Sequence, residues 1–202
     1  PHHCYSMDRH TVEAVAAAPA IAEVRLCMLF HDIAKPLCRT TDSNGVGHYK
    51  GHPALSARIA AQALRTLRFD RAAIERVCLL IRYHDERFSP DAPSVKRMLG
   101  LLGPQAYGQL LAVQRSDALA KGNCMGTAEA LERIIAAQTQ AERILRMGEC
   151  YSLAGLAVRG EDLLASGVPA GPAIGNCLRR LLDAVIEGKL PNHRESLLDW
   201  VR

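Results

Sequence analysis

Histidine and aspartate are the residues of this sequence whose types and spacing most clearly point to chemistry. Seven of the eight histidines lie within the first 84 residues, and two His-Asp dipeptides, His31-Asp32 and His84-Asp85, each end an apolar run. Imidazole nitrogens and carboxylate oxygens bind divalent cations, and a helical bundle can bring further ligands, such as His10 and Asp117, to the same point. Ligation without thiolate suits Mn, Fe, Co, Ni, Zn or Mg better than a structural zinc site. The pattern predicts a metal centre.

Helices must position these side chains, because helical periodicity extends over most of the chain. Aromatic residues make up only 4% of the sequence, which favours packed aliphatic helices over a sheet. We expect a loop at 37–50 and helices near 8–18, 21–34, 52–68, 71–85, 93–102, 104–121 and 127–147. Glycine and proline are frequent after residue 148. The prediction is an all-α fold, with a helical bundle at 1–147 and a small helical subdomain at 148–202.

Composition narrows the class of protein without naming a substrate. The net charge of +4 is compatible with a nucleotide or RNA partner but does not require one. The seven cysteines form no C-x-x-C pair, which is typical of reduced thiols in a cytoplasmic protein, and Cys27 is expected in the core. No signal peptide or membrane span is evident, so no membrane partner is expected. Because the chain begins at Pro1 without an initiating Met, we expect it to be a piece of a longer protein.

The order of these residues resembles a known family. His10, then His31-Asp32 in LFHDIAKP, then Asp117 in VQRSDALAKG resemble the HD superfamily of metal-dependent phosphohydrolases. DRHTVEAV, RLCMLFHDIAKP and GHYKGHPALSARIA resemble, more narrowly, the HD region that follows the catalytic head of bacterial CCA-adding tRNA nucleotidyltransferases, in the poly(A) polymerase family. The segment from LAVRGEDLLASG to GKLPN is similar to the tRNA-binding tail of that family. These similarities cover nearly the whole chain and imply an HD-domain helical bundle.

The resemblance implies a set of metal ligands. His10, His31, Asp32 and Asp117 would hold one ion of Mn, Fe, Ni, Co or Mg. His52 and His84 would hold a second ion or, around a single ion, contact phosphate and act as acid or base. The alternatives are simpler: Asp117 could pair with Arg115 or Lys121 on the helix surface. His52 could cap a helix, and His84 could complement a helix dipole.

The implied function is hydrolysis of phosphomonoesters or phosphodiesters on nucleotides or RNA ends, in which the metal activates water. Asp32, His52, His84 and Lys35 would be the catalytic residues, and Lys35, Arg58, Arg115 and Lys121 would bind substrate phosphate. The resemblance also implies tRNA as a partner. The sequence contains no Asp-x-Asp or Glu-x-Asp pair, so CCA addition is not expected from this chain alone. Two alternatives stay open: a non-catalytic tRNA-binding body of a CCA-adding enzyme, and a stand-alone binuclear nucleotide hydrolase.

Three side chains have minor expected roles. His48 is expected to face solvent in the 37–50 loop. Trp200 is expected to anchor the core of the C-terminal subdomain rather than to stack on bases. The cluster His2, His3 and Cys4 is expected to be flexible or to pack, rather than to bind metal.

Overall fold

The computed structural model describes residues 6–122 and 126–201. His2, His3, Cys4 and Cys124 lie outside these ranges. The predicted all-α class is confirmed, since ten α-helices account for most of the described residues. They are α1 (Met7–Ala17), α2 (Ala22–Phe30), α3 (His52–Thr66), α4 (Arg71–Tyr83), α5 (Ala92–Leu102), α6 (Pro104–Ala120), α7 (Thr127–Arg146), α8 (Gly160–Ala165), α9 (Pro172–Ile186) and α10 (Arg194–Val201).

The segment predicted as a loop contains a small hairpin after a 3₁₀ turn at Lys35–Cys38. Strand β1 (Thr40–Thr41) pairs antiparallel with β2 (Gly47–His48). Asp42 closes the turn, because its Oδ1 accepts hydrogen bonds from the backbone N–H groups of Asn44 at 2.9 Å and Val46 at 3.0 Å. His48 is exposed as expected, with Nε2 2.8 Å from Asp42 Oδ2. Two-residue strands are too short to show the alternation that predicts a sheet.

Contacts divide the chain into two compact units. The first comprises residues 1–87 and 104–135, and the second comprises 88–103 and 136–202. The division differs in position from the domain boundary predicted at 147/148, which stays a prediction. No helix within the described ranges is long and apolar enough to cross a membrane.

The core of the first unit forms where α1, α2, α3, α4 and α6 pack together. Asp70 starts α4 by accepting a hydrogen bond from the backbone N–H of Ala73 at 2.9 Å, as N-cap residues do. Cys27 is fully buried, which confirms the expected core position. The largest fully buried apolar side chains of the first unit are Met28, Leu64, Leu80, Ile81, Tyr107 and Leu110.

The second unit has its own core of buried apolar residues. Ion pairs join its segments, since Glu149 contacts Lys96 Nζ at 2.8 Å and Arg143 Nη1 at 2.9 Å. The prediction that Trp200 anchors this core is wrong: its side chain is 42% exposed, and the Arg180 guanidinium lies 5.1 Å from the ring centre. The buried core residues are Cys150, Leu156, Val158, Leu163, Leu181, Val185, Leu197 and Leu198.

Gly100 in α5 makes a close approach that no other residue type permits. A Cβ atom at this position would lie 2.4 Å from the backbone carbonyl oxygen of Tyr151, which cannot move aside as a side chain can. We therefore expect Gly100→Ala to lower the free energy of unfolding of the second unit by about 1–3 kcal/mol, measured by urea denaturation. Gly108→Ala in α6 is the control, because nothing lies within 4 Å of its Cβ position. It should be neutral or stabilise by up to about 1 kcal/mol, and equal effects of both variants would contradict the steric argument.

Candidate metal centre

Helix ends bring the predicted ligands of the first unit together. His10 lies in the first turn of α1, and Asp117 lies in the last turn of α6. His31 and Asp32 directly follow α2, in a turn where Ser56 Oγ accepts a hydrogen bond from the backbone N–H of Ala34 at 3.1 Å. The remaining two ligands, His52 and His84, begin α3 and directly follow α4.

His52 depends on a backbone reversal just before it. Gly51 has a φ of +83°, a left-handed conformation that glycine adopts at little cost. The reversal lets the chain leave the hairpin and enter α3, with Pro53 in the first turn. As a result the His52 ring lies inside the first unit, where it is buried.

Asp32 lies between two groups of histidines. Its Oδ2 is 3.3 Å from His31 Nε2 and 3.9 Å from His10 Nε2. Its Oδ1 is 3.3 Å from His52 Nε2 and 3.6 Å from His84 Nε2. Each group, His10–His31–Asp32 and Asp32–His52–His84, has ligand atoms that all lie within 4.8 Å of one another. One buried carboxylate therefore belongs to two potential metal sites.

Asp117 adds a second carboxylate to the first group. Its Oδ1 lies 3.1 Å from His10 Nε2 and 3.7 Å from His31 Nε2. Its other oxygen, Oδ2, forms an ion pair with Lys121, whose Nζ lies 2.5 Å away. The first group thus contains two imidazoles and two carboxylates, and the second contains two imidazoles and one carboxylate.

The four histidines are oriented by the backbone so that Nε2 faces the cluster. The Nδ1 atoms of His31 and His84 lie 2.7 Å from the carbonyl oxygens of Met28 and Ile81. In the same way, His52 Nδ1 lies 2.9 Å from the Tyr49 carbonyl oxygen, and His10 Nδ1 lies 3.4 Å from that of Ala120. Nδ1–H donation to a carbonyl leaves Nε2 as the acceptor nitrogen, which is the arrangement found in metal-binding histidines.

Acceptor atoms in this cluster face one another, which requires a positive charge between them. His10 Nε2 and His31 Nε2 are 3.3 Å apart, and His52 Nε2 and His84 Nε2 are 3.4 Å apart. Asp32 Oδ1 is buried and has no hydrogen-bond partner among the described residues. Because unpaired buried carboxylate oxygens are costly, the set is suited to a divalent cation of the kind that nitrogen and oxygen ligands prefer.

The same need for positive charge shifts the pKa values of the cluster. Burial lowers the pKa of His31, but hydrogen bonds and attraction from Asp117 and Asp32 outweigh it and raise that pKa to about 9. Burial disfavours ionisation of Asp32 and Asp117, yet interactions with the surrounding histidines outweigh it and hold both carboxyl pKa values well below the usual range. Both carboxylates are therefore ionised and available as ligands.

Two lysines form ion pairs with the two carboxylates of the cluster. Lys35 Nζ is 2.6 Å from Asp32 Oδ2, and the side chain of Lys121 holds Asp117. Both were predicted from sequence as phosphate contacts. Their position next to the candidate ligands is compatible with that role, which stays a prediction.

The other two predicted phosphate contacts, Arg115 and Arg58, have exposed side chains. Arg115 is exposed on α6, one helical position before Ser116 and two before Asp117. Arg58 is exposed on α3 and lines a separate cavity of about 540 Å³ between α3 and α4. Asp85, the second aspartate of a His-Asp pair, is exposed, whereas His84 beside it is buried.

A cavity of about 650 Å³ opens beside His52. Lys35 lines it, and so do Tyr49, Lys50 and Arg82, which sequence reasoning missed. Tyr49 and Lys50 lie within the segment GHYKGHPALSARIA, but neither is a metal-ligand type, and Arg82 lies within an apolar helical run. The cavity provides space for a ligand next to the candidate metal centre.

An all-α domain with buried histidine and aspartate groups able to hold a divalent metal is the class that this fold and site define. Comparison with known families identifies the particular family within this class. The family described as "tRNA nucleotidyltransferase domain 2 putative" matches residues 54–201, which is more than half of the chain. The protein belongs to this family.

Two curated relatives agree with this assignment. The chain is 31% identical over 212 aligned residues to a CC-adding tRNA nucleotidyltransferase of Thermus thermophilus, covering 98% of the chain and 46% of the relative. It is 36% identical over 83 residues to a CCA-adding enzyme of Limosilactobacillus fermentum, covering 41% of the chain and 19% of the relative. The chain thus spans less than half of the length of either relative. No solved structure matches it significantly.

Proposed function

We propose that this chain is an HD-type metal-dependent phosphohydrolase acting on the phosphates of nucleotides or RNA ends, within a tRNA nucleotidyltransferase-like protein. The observation that carries the proposal is the position of Asp32, whose two oxygens each face a separate pair of buried imidazoles. A carboxylate shared in this way suits two ions held close together. Pairs of divalent ions held by shared ligands are typical of phosphoester hydrolysis.

The ligand roles follow from the contacts. His10, His31, Asp32 and Asp117 would hold the first ion, and Asp32, His52 and His84 the second. Nitrogen and oxygen donors without sulfur favour Mn, Fe, Co, Ni or Mg. A divalent ion at such ligands supplies Lewis acidity toward a phosphoryl oxygen and lowers the pKa of water.

The remaining side chains would bind and orient the phosphate. Once a cation neutralises Asp32 and Asp117, Lys35 and Lys121 no longer need to neutralise them and become available to substrate oxygens. If only the first ion binds, His52 and His84 are free to contact phosphate, with the Nε2 of either ring able to move a proton. The backbone carbonyls at Nδ1 keep both rings in place for that transfer.

A second function, a non-catalytic body that holds tRNA, is favoured by the comparisons. The chain aligns over 98% of its length with part of an enzyme named for tRNA nucleotide addition. In that case the cluster would be a structural remnant or a structural metal site, and phosphoester hydrolysis would be absent.

The experiment that separates the two is metal analysis combined with hydrolysis assays. We expect wild-type protein loaded with Mn²⁺ or Ni²⁺ to bind two ions per chain and to hydrolyse 2′,3′-cyclic AMP or bis-p-nitrophenyl phosphate. His84→Ala should lose one ion, because it removes a ligand from the second group alone. Its activity should fall by at least about tenfold, the scale expected for removal of a catalytic or ligating side chain.

His193→Ala is the matched control, because this histidine is exposed in the second unit. It should retain the wild-type metal content and activity. A wild-type protein that binds one ion, with the same content in His84→Ala, supports a single-metal site. If the wild-type protein neither binds metal nor hydrolyses any substrate, the hydrolase proposal is wrong, and the non-catalytic tRNA-binding body becomes the better account.

A further inference from the structure

Two cavities of the first unit share one side chain. Arg82 of α4 lines both the cavity beside His52 and the cavity between α3 and α4. Their volumes are about 650 and 540 Å³. Cys78 Sγ donates a hydrogen bond to the Ala57 carbonyl oxygen at 3.3 Å at the base of the second cavity, where it joins the two helices. The two cavities therefore adjoin at Arg82, and we call the pair the α3–α4 groove. The candidate metal centre lies at the end that His52 lines.

Polar and cationic residues repeat along the α3 side of the groove. Arg58, Gln62 and Arg65 all line the second cavity, and their spacing of four and three residues places them on one helix face. From Arg58 to Arg65 the helix advances about 10 Å. Two guanidinium groups therefore stand along the groove, and that of Arg82 stands where the cavities meet.

Charge in the groove is positive at the end distant from the metal centre. Among the described residues, no carboxylate forms an ion pair with Arg58, Arg65 or Arg82. Glu75 is the only carboxylate among the described residues that line the second cavity, and its Oε1 lies 2.6 Å from Arg71 Nε. The first cavity is more balanced, with Lys35 and Lys50 opposed by Asp85 and Glu86. A lone phosphate at the mouth of the metal centre would therefore gain little, whereas a longer polyanion would also reach the arginines.

We propose that the α3–α4 groove binds a single-stranded nucleic acid, with its backbone phosphates on Arg58, Arg65 and Arg82. The strand would run toward the metal centre and present its end there, a direction that rests on the proposed function. Guanidinium groups bind phosphate oxygens through two donors at once, and spaced cations that track a backbone are typical of single-strand binding. The substrate class this favours is the end of an RNA strand rather than a free mononucleotide.

The test is binding of a labelled single-stranded RNA of about 12 nucleotides with a 3′-hydroxyl end, a length within the range of known single-strand sites. Fluorescence anisotropy with EDTA present keeps turnover out of the measurement. We expect wild type to bind this RNA at least about tenfold more tightly than AMP, and Arg65→Gln/Arg82→Gln to weaken RNA binding at least about tenfold. The slope of log affinity against log salt should fall by about 1.4 for the two lost contacts.

The double variant Arg25→Gln/Arg76→Gln is the matched control, because it removes the same charge from residues outside both cavities. It should bind like wild type, and Arg65→Lys/Arg82→Lys should recover part of the affinity. Equal binding by wild type and Arg65→Gln/Arg82→Gln overturns the groove proposal, whatever the hydrolysis assays show. Equal competition by poly-glutamate or by duplex RNA overturns the assignment to a single strand. If the protein binds RNA through these arginines but binds no metal and hydrolyses no substrate, the proposed hydrolysis is wrong and the groove proposal stands.

Discussion

Replacing Asp32 with alanine is expected to remove both metal ions and at least about 10³-fold of the phosphohydrolase activity. The effect is larger than for any single histidine, because Asp32 is the residue common to both ligand groups. Loss of several kcal/mol of metal-derived stabilisation corresponds to about three orders of magnitude in rate. The measurement is bound metal by mass spectrometry, together with hydrolysis of 2′,3′-cyclic AMP at saturating Mn²⁺.

Asp85→Ala provides the matched control for metal content. Asp85 also follows a histidine at the end of a helix, yet it is exposed, while Asp32 is buried. Asp85→Ala should therefore keep the wild-type metal stoichiometry. An Asp32→Ala protein that still binds two ions shows that the ligand assignment is wrong. One that binds no metal but still turns over substrate shows that hydrolysis does not depend on this centre.

The resemblance implied the set of candidate ligands, and the placement of three of its histidines at helix ends could be predicted because sequence marks helix ends well. Apolar runs that stop at His31 and His84, and a Gly-His-Pro sequence at residues 51–53, each place a histidine at a helix boundary. The all-α class followed from the same periodicity, and the structure confirms it. The sharing of Asp32 between two histidine pairs could not be predicted, because it depends on which oxygen faces which ring.

Features that depend on contacts between distant segments were missed. Arg82 lies within an apolar helical run and had no role predicted from sequence, and only the packing of α3 on α4 places it at two cavities. Trp200 was expected to anchor the core of the C-terminal subdomain, but the buried core of the second unit consists mostly of leucine and valine. The aromatic face of Trp200 instead contacts Arg180. Periodicity reports which face of a helix is apolar, not which partner covers it.

Metal binding is expected to raise the thermal stability of the first unit. The cluster places four imidazoles and two carboxylates with their acceptor atoms facing one another, so the metal-free folded state carries unfavourable contacts that a cation relieves. A ligand that binds only the folded state at a thousandfold excess over its Kd adds about 4 kcal/mol to the free energy of unfolding. For a chain of this size that corresponds to roughly 8–16 °C in Tm.

The measurement is the Tm by calorimetry, compared between protein treated with EDTA and the same protein reloaded with Mn²⁺ or Ni²⁺. Asp32→Ala is the control, since it lacks the residue common to both groups and should show the same Tm in both conditions. If the two units unfold in separate transitions, only one transition should move with metal, because all six ligands lie in the first unit. Equal shifts in wild type and Asp32→Ala would mean that the metal acts elsewhere on the chain. The size of the shift at known metal concentration also gives the affinity, which links this stability to the occupancy that hydrolysis requires.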